Sequence, residues 1–307
     1  MHVMKNKIVL VTGSSSGIGK QAAIELAALG ATVLVHTCTA GKGREVMESL
    51  YNELPTGSFD LFVANFEDQQ EVHRMAMEIK AVYGRLDVLV NNAAIFLEER
   101  KLSRDTIEKM FAVNHLSPFL LTHLLLPLLQ KSVHARIINV SSNAHYTAAF
   151  EPENLQGEKQ FTGLKRYCAT KLCNLLFTYH LSSLLKDQNI SVNALHPGFT
   201  NTGLYQQLFG QFDGSPLSES AGTIVYLASS AVLQNTTGLY FTGRLPVASS
   251  AVSYERKYQR QLWKLSERLT LIHSNKPKPI KHYWLLNKNI LLSLIMKPVK
   301  MLLSAFI

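Results

Sequence analysis

The chain has 307 residues, 47% apolar and only 17% charged, which is enough apolar material for a large packed core and excludes a disordered polyelectrolyte. Its net charge of +9 is gathered at one end. Residues 272–307 hold six lysines and no acid, so the rest of the chain is nearly neutral and does not read as a nucleic-acid binder.

In chain order, short β-branched runs alternate with longer amphipathic stretches. Strands are predicted over 8–11, 32–36, 59–64, 87–90, 136–140, 191–195 and, briefly, 238–241. Helical periodicity covers 17–29, 43–51, 69–83, 106–128, 167–185 and 219–228. Nearly continuous apolar strands separated by helices predict a parallel sheet covered on both faces. The expected fold is α/β, a single doubly wound Rossmann domain with a parallel sheet of about seven strands, over residues 1–271. Residues 272–307 form a basic, apolar C-terminal extension, set off by Lys276-Pro277-Lys278-Pro279. Because the first strand begins at residue 8, no leader segment is expected before it. Cys38, Cys168 and Cys173 form no paired or metal-ligand spacing, so reduced thiols, no metal and a cytoplasmic setting are expected.

The turn Gly13-Ser14-Ser15-Ser16-Gly17-Ile18-Gly19 follows a strand and opens a helix. That context suits a dinucleotide: Gly13 permits the tight turn, Gly17 the approach of a pyrophosphate, and Gly19 close packing of helix on strand. The helix start then offers unpaired N–H groups and a partial positive charge to the phosphates. The second strand ends His36-Thr37-Cys38-Thr39, without the acid that usually bonds the ribose hydroxyls of NAD. With Lys20, Lys42 and Arg44 nearby in sequence, NADP(H) is expected over NAD(H).

Tyr167 and Lys171 lie four residues apart, on one face of a helix, so an ammonium can approach a phenol. A positive charge there favours the phenolate and predicts a lowered Tyr167 pKa, suited to general acid/base work.

These motifs, with Asn91-Asn92-Ala93-Ala94 and His196-Pro197-Gly198, resemble the short-chain dehydrogenase/reductase family. Val113-Asn114-His115-Leu116, Asn139-Val140-Ser141-Ser142-x-Ala144-His145, Asn154-Leu155-Gln156-Gly157-Glu158 and Leu262-Trp263-Lys264-Leu265-Ser266 resemble its retinol dehydrogenase-like branch. The likeness spans roughly residues 6–271. It implies a catalytic set of Asn114, Ser142, Tyr167 and Lys171. In that set Tyr167 exchanges a proton with the substrate oxygen, Lys171 binds the nicotinamide ribose, Ser142 bonds the substrate oxygen and Asn114 holds a relay water. It further implies cofactor contacts from Gly13, Ser15, Ser16, Gly17, Ile18, Gly19, Asn65, Asn92, Tyr167, Lys171, Pro197, Gly198 and Thr200. Ala94 stands where the family has Gly, Asn65 where it usually has Asp, and Cys38 where the branch usually has Arg.

Residues 203–216 read as a mobile lid, with Phe199, Leu204, Tyr205, Leu208, Phe209 and Phe212 lining an apolar pocket for a retinoid, fatty aldehyde or sterol-like substrate. In the tail, Ser293, Lys297, Lys300 and Ser304 form one polar stripe on an apolar helix interrupted by Pro298. That pattern fits a helix lying on an anionic membrane surface better than one spanning it. A helix folded back on the body or used in a homo-oligomer contact is the other reading. The expected function is NADP(H)-dependent oxidation or reduction of a hydrophobic alcohol or carbonyl, peripheral at a membrane. The competing class is a non-catalytic NADP(H)-binding scaffold on the same fold.

Overall fold

The computed structural model describes residues 3–210 and 213–272. The described residues up to Thr270 belong to one compact unit. The tail stripe at Ser293–Ser304 and Phe212 lie outside the described residues, as does the side chain of Phe209.

Eight strands form one sheet in the order β3-β2-β1-β4-β5-β6-β7-β8. They are β1 Ile8–Val11, β2 Thr32–Thr37, β3 Ser58–Val63, β4 Val88–Asn91, β5 Ala135–Val140, β6 Ile190–His196, β7 Tyr240–Thr242 and β8 Leu245–Val247. The first seven pair in parallel, and β8 turns back antiparallel on β7 as a short edge strand absent from the sequence expectation. Its three residues are all exposed and include Pro246, so neither apolar continuity nor alternation marks it.

Helices cover both faces. On one lie α1 Gly17–Ala28, α2 Ala40–Glu53 and α8 Leu217–Ser229; on the other lie α3 Gln69–Val82, α5 Ser117–Leu129 and α6 Gly163–Leu184. The strand order reverses between β1 and β4, which opens a crevice at their carboxyl ends. Both the turn after β1 and the Asn91-Asn92 corner after β4 face that crevice.

The stretch predicted as one helix over 106–128 is three pieces: α4 Lys109–Phe111, a π-turn Ala112–Leu116, then α5. Its apolar composition is that of a buried core helix, since 78% of its most apolar window is buried. Inside the expected lid, Thr202 caps a short helix, α7 Gly203–Phe209, by accepting from the Tyr205 N–H. After β8, α9 Arg256–Thr270 packs its Leu262 face on α6.

Candidate active site

The turn after β1 is built to stay open. Gly13 has a positive φ of 65°, and a Cβ there would come within 2.7 Å of the Ala93 backbone. A Cβ on Gly19 would meet both the Gly13 carbonyl and the Asn92 amide at 2.5 Å. The β4 corner clamps the turn: Asn92 Nδ2 donates to the Thr12 and Gly13 carbonyls at 2.8 and 3.2 Å, and Thr12 Oγ1 accepts from the backbone of Asn92 and Ala93. Ser16 caps α1 with its backbone only, and no acid lies in the first turn. The helix therefore begins with N–H groups that no side chain caps, beside glycines that leave room for close approach, which fits a dinucleotide pyrophosphate.

His36 supports this turn, a role missed in the sequence. Its Nδ1 accepts from the Gly13 N–H at 3.0 Å, and its Nε2 lies 2.9 Å from the Ala64 carbonyl. Burial pulls its pKa down to about 4, so the ring is neutral, stacked on Phe66. His36 thus points inward, and only Cys38 and Thr39 of that strand end are exposed. Among the three nearby cations, Lys20 is engaged elsewhere: its ammonium pairs with Glu53 and donates to Ser49 Oγ at 2.8 Å on α2. Lys42 and Arg44, in the first turns of α2, are exposed. Asn65 is likewise occupied locally, its amide donating to Glu67 at 2.7 Å and its oxygen accepting from the Glu67 N–H.

At the ends of β5 and β6 the other candidates are joined by hydrogen bonds. Asn114 sits fully buried in the π-turn, where its side chain accepts from the Ile95 N–H at 2.8 Å and donates to the Ile95 carbonyl at 3.0 Å and to Thr170 Oγ1 at 3.2 Å. Thr170 in turn donates to the Tyr167 carbonyl. A π-turn widens the helix by one residue and turns a side chain out of the regular ladder, a common device at working sites. Ser141 and Ser142 separate cleanly. Ser141 is buried and donates to the Lys171 carbonyl at 2.8 Å, while Ser142 is half-buried and caps a short 3-10 turn, Asn143–Thr147.

Lys171 donates to the Val140 carbonyl at 3.2 Å and lies over the Tyr167 ring, 5.4 Å from its centre. Burial pulls its pKa down to about 8. The expected lowering of Tyr167 is reversed: burial pushes its pKa up, and the neighbouring Cys168 and Tyr205 add to the rise. With no hydrogen bond between ammonium and phenol, desolvation outweighs the attraction, and the protein alone holds a neutral phenol.

One aromatic ring packs on that phenol, and others cluster after β6. Phe96 meets Tyr167 edge-on at 6.2 Å, and Phe199 meets both Tyr205 and His196. Phe199 is 53% exposed. Leu204, Tyr205 and Leu208 are half-buried. Gly198 takes a φ of 102°, and Thr200 is buried against Ser220 by a short hydroxyl contact.

The short chain dehydrogenase family model matches residues 7–212. The chain belongs to the short-chain dehydrogenase/reductase family. Within it the chain stands with the retinol dehydrogenase-like branch. It is 34% identical to human retinol dehydrogenase 11 over 274 residues, covering 86% of this chain and 85% of that protein. It is 30% identical to human polyprenol dehydrogenase over 281 residues, covering 86% and 85%. A crystal structure of an uncharacterized protein from Mycobacterium paratuberculosis superposes with a TM-score of 0.74 at 29% identity, over 87% of this chain and 94% of that one. This short-chain dehydrogenase is an oxidoreductase related to retinol and polyprenol dehydrogenases.

Proposed function

We propose that this short-chain dehydrogenase uses NADP(H) to interconvert a hydrophobic alcohol and its carbonyl compound. The observation that carries the reading is the presence of both half-sites at the carboxyl ends of one parallel sheet. An uncapped helix start lies at the β1/β4 crevice, and hydrogen bonds tie Asn114 through Thr170 to the Tyr167 backbone, and Ser141 and the Val140 carbonyl to Lys171, beside Ser142.

The residues that would hold the dinucleotide are Gly13, Ser15, Ser16, Gly17, Ile18 and Gly19 at the pyrophosphate, with Asn92 keeping that turn in shape. Asn65 serves the adenine side, and Pro197, Gly198 and Thr200 the nicotinamide side. When bound, the nicotinamide supplies or accepts the hydride. Tyr167 exchanges the proton of the substrate oxygen, Ser142 donates a hydrogen bond to that oxygen, and Lys171 binds the ribose while offering positive charge to the phenol. Asn114, already bonded through both ends of its amide, holds the π-turn where a relay water would sit. NADP(H) over NAD(H) is supported by the missing acid at Thr37–Thr39 and by Lys42 and Arg44, but no longer by Lys20.

The apolar substrate class is supported by Phe96 against the Tyr167 ring, by the Phe199–Tyr205 pair after β6 and by the lipid-like alcohols in the names of the relatives. Association with an anionic membrane surface is supported by charge. Arg256, Arg260, Lys264 and Arg268 recur every four residues on α9, all exposed and without an ion pair among the described residues, and the lysine-rich tail follows in sequence. The test of the whole reading is NADPH consumption against a panel of medium- and long-chain aldehydes and ketones, with NADH in parallel. No turnover with any apolar carbonyl, in either direction, would refute it.

A further inference from the structure

Two histidines outside the candidate catalytic set meet at one peptide bond, the one that joins Ser142 to Asn143. His145 Nδ1 lies 2.7 Å from the Ser142 carbonyl oxygen, and its Nε2 lies 3.1 Å from the backbone nitrogen of Ser250. A carbonyl only accepts and an amide N–H only donates, so His145 carries its hydrogen on Nδ1. His196 has the opposite arrangement. Its Nδ1 lies 3.3 Å from the backbone nitrogen of Asn143 and must accept, which leaves its hydrogen on Nε2. The same peptide unit is thus gripped at its oxygen by one imidazole and at its N–H by another. The Tyr240 hydroxyl adds a third hold, donating to Asn143 Oδ1 at 2.8 Å.

Both rings are buried, at 0% and 3% exposure. Burial holds each below the ordinary histidine range, to about 4 for His196, where His145 and the Lys171 ammonium add to the lowering. Double protonation would set a donor against a donor in both cases, at the Asn143 N–H for His196 and at the Ser250 N–H for His145. His196 keeps its orientation although its Nε2 has no partner. A buried donor without a partner is uncommon in folded proteins, and marks a place where something beyond packing fixes the ring.

We propose that His145 and His196 are positioning residues that clasp the Ser142–Asn143 peptide in opposite tautomers and so aim the Ser142 hydroxyl. Neither touches the reacting atoms; both act through Ser142. The proposal rests on the reading of Ser142 as the residue that bonds the substrate oxygen.

The first test needs no turnover. Two-bond ¹⁵N–¹H correlation spectra of the full-length protein, with His145→Gln and His196→Gln used for assignment, should show a protonated Nδ1 for His145 and a protonated Nε2 for His196. The same tautomer on both rings overturns the clasp. In kinetics, His145→Phe and His196→Val should lower kcat about ten-fold, the worth of one neutral hydrogen bond, and leave dinucleotide affinity within two-fold. His196→Asn, whose side-chain oxygen can accept the same N–H, should recover most of the loss. In a Ser142→Ala background neither substitution should lower kcat further. Equal losses with and without Ser142 would overturn the positioning role. If Ser142→Ala were itself fully active, the assignment of Ser142 would fall with it, and the tautomer pattern would still report whether the clasp exists.

Discussion

His115 and Ser266, 151 residues apart in sequence, meet in the interior through a hydrogen bond of 2.9 Å between His115 Nε2 and the Ser266 hydroxyl. The contact ties the π-turn that carries Asn114 to α9, and Phe111, Phe119, Phe177 and Trp263 close around it. The motifs around Asn114 and around Trp263, separate in the sequence, are two sides of one joint. Ser266→Ala should leave a buried imidazole nitrogen unpaired, at a stability cost of about 1–3 kcal/mol. A urea unfolding midpoint unchanged from the wild type would show that the joint carries no such weight.

Three buried histidines contribute most clearly to the acid limb of stability. His36, His115 and His196 are held neutral, with pKa values brought down by burial to about 4, 3 and 4. Their folded values lie below the unfolded value near 6.5, so the unfolded chain binds more protons below that pH. Stability is full above about pH 6.5 and falls as pH drops toward 4, by up to roughly 4 kcal/mol per pH unit if all three contribute fully. Urea midpoints measured from pH 7.5 to 4.5 check this; a flat profile is incompatible with it.

Asp87 extends the same trend to lower pH. Burial alone would raise its pKa, but the Ile8 N–H, the Ser132 hydroxyl and Lys7 outweigh burial and hold it below the ordinary value. Its contribution is present above the unfolded value near 3.9 and is lost as pH falls through the lower folded value. Asp87→Asn should weaken the protein at pH 7 and make it less sensitive to pH below 4 in the same titration.

Tyr167→Phe should reduce kcat to below a few per cent of wild type while dinucleotide binding survives, because the phenol moves the proton and the glycine turn holds the phosphates. Lys171→Ala should damage both. Dinucleotide affinity should also decline as pH rises through about 8, where buried Lys171 loses its proton. Equilibrium binding by fluorescence, run beside steady-state kinetics, separates the two effects.

A preference for NADP(H) should amount to about 1.5–3 kcal/mol from charge-assisted contacts, roughly one to two decades in affinity. Arg44→Ala or Lys42→Ala should erode it and Cys38→Arg should strengthen it. Lys20→Ala should leave the ratio unchanged, since that ammonium is committed to Glu53. Equal kcat/KM with NADH would rule the preference out.

Sedimentation with anionic vesicles tests the membrane reading. Lys297→Glu/Lys300→Glu should cut binding, as should charge reversal at Arg260 and Lys264, each cation being worth about 1 kcal/mol near such a surface. High salt should do the same to the wild type. Binding that ignores both salt and charge reversal would point to apolar insertion alone.

The parallel strands and the glycine turn were legible because their signals are local: apolar runs, and glycines where a Cβ would collide. The π-turn was not. The apolar pattern continues through residues 109–129, and the buried polar Asn114, His115, Ser117 and Thr122 within it do not by themselves mark a widened turn. For α9, Tyr258, Leu262, Leu265 and Leu269 recur at helical spacing, so the element was legible in principle. The partner of Lys20 was out of reach, since Glu53 lies 33 residues away and meets it only once α1 and α2 are side by side. The direction of the Tyr167 shift also depends on burial, which spacing along a helix cannot supply.

The helix that carries Tyr167 and Lys171 is deeply enclosed, with nearly every residue from Arg166 to Tyr179 buried. Its amides have no route to solvent short of the molecule coming apart, so their hydrogen exchange should follow the global opening rate. The machinery then cannot melt ahead of the scaffold. Heated or chemically stressed preparations should contain fully competent and fully unfolded molecules, with no population that is folded yet inert.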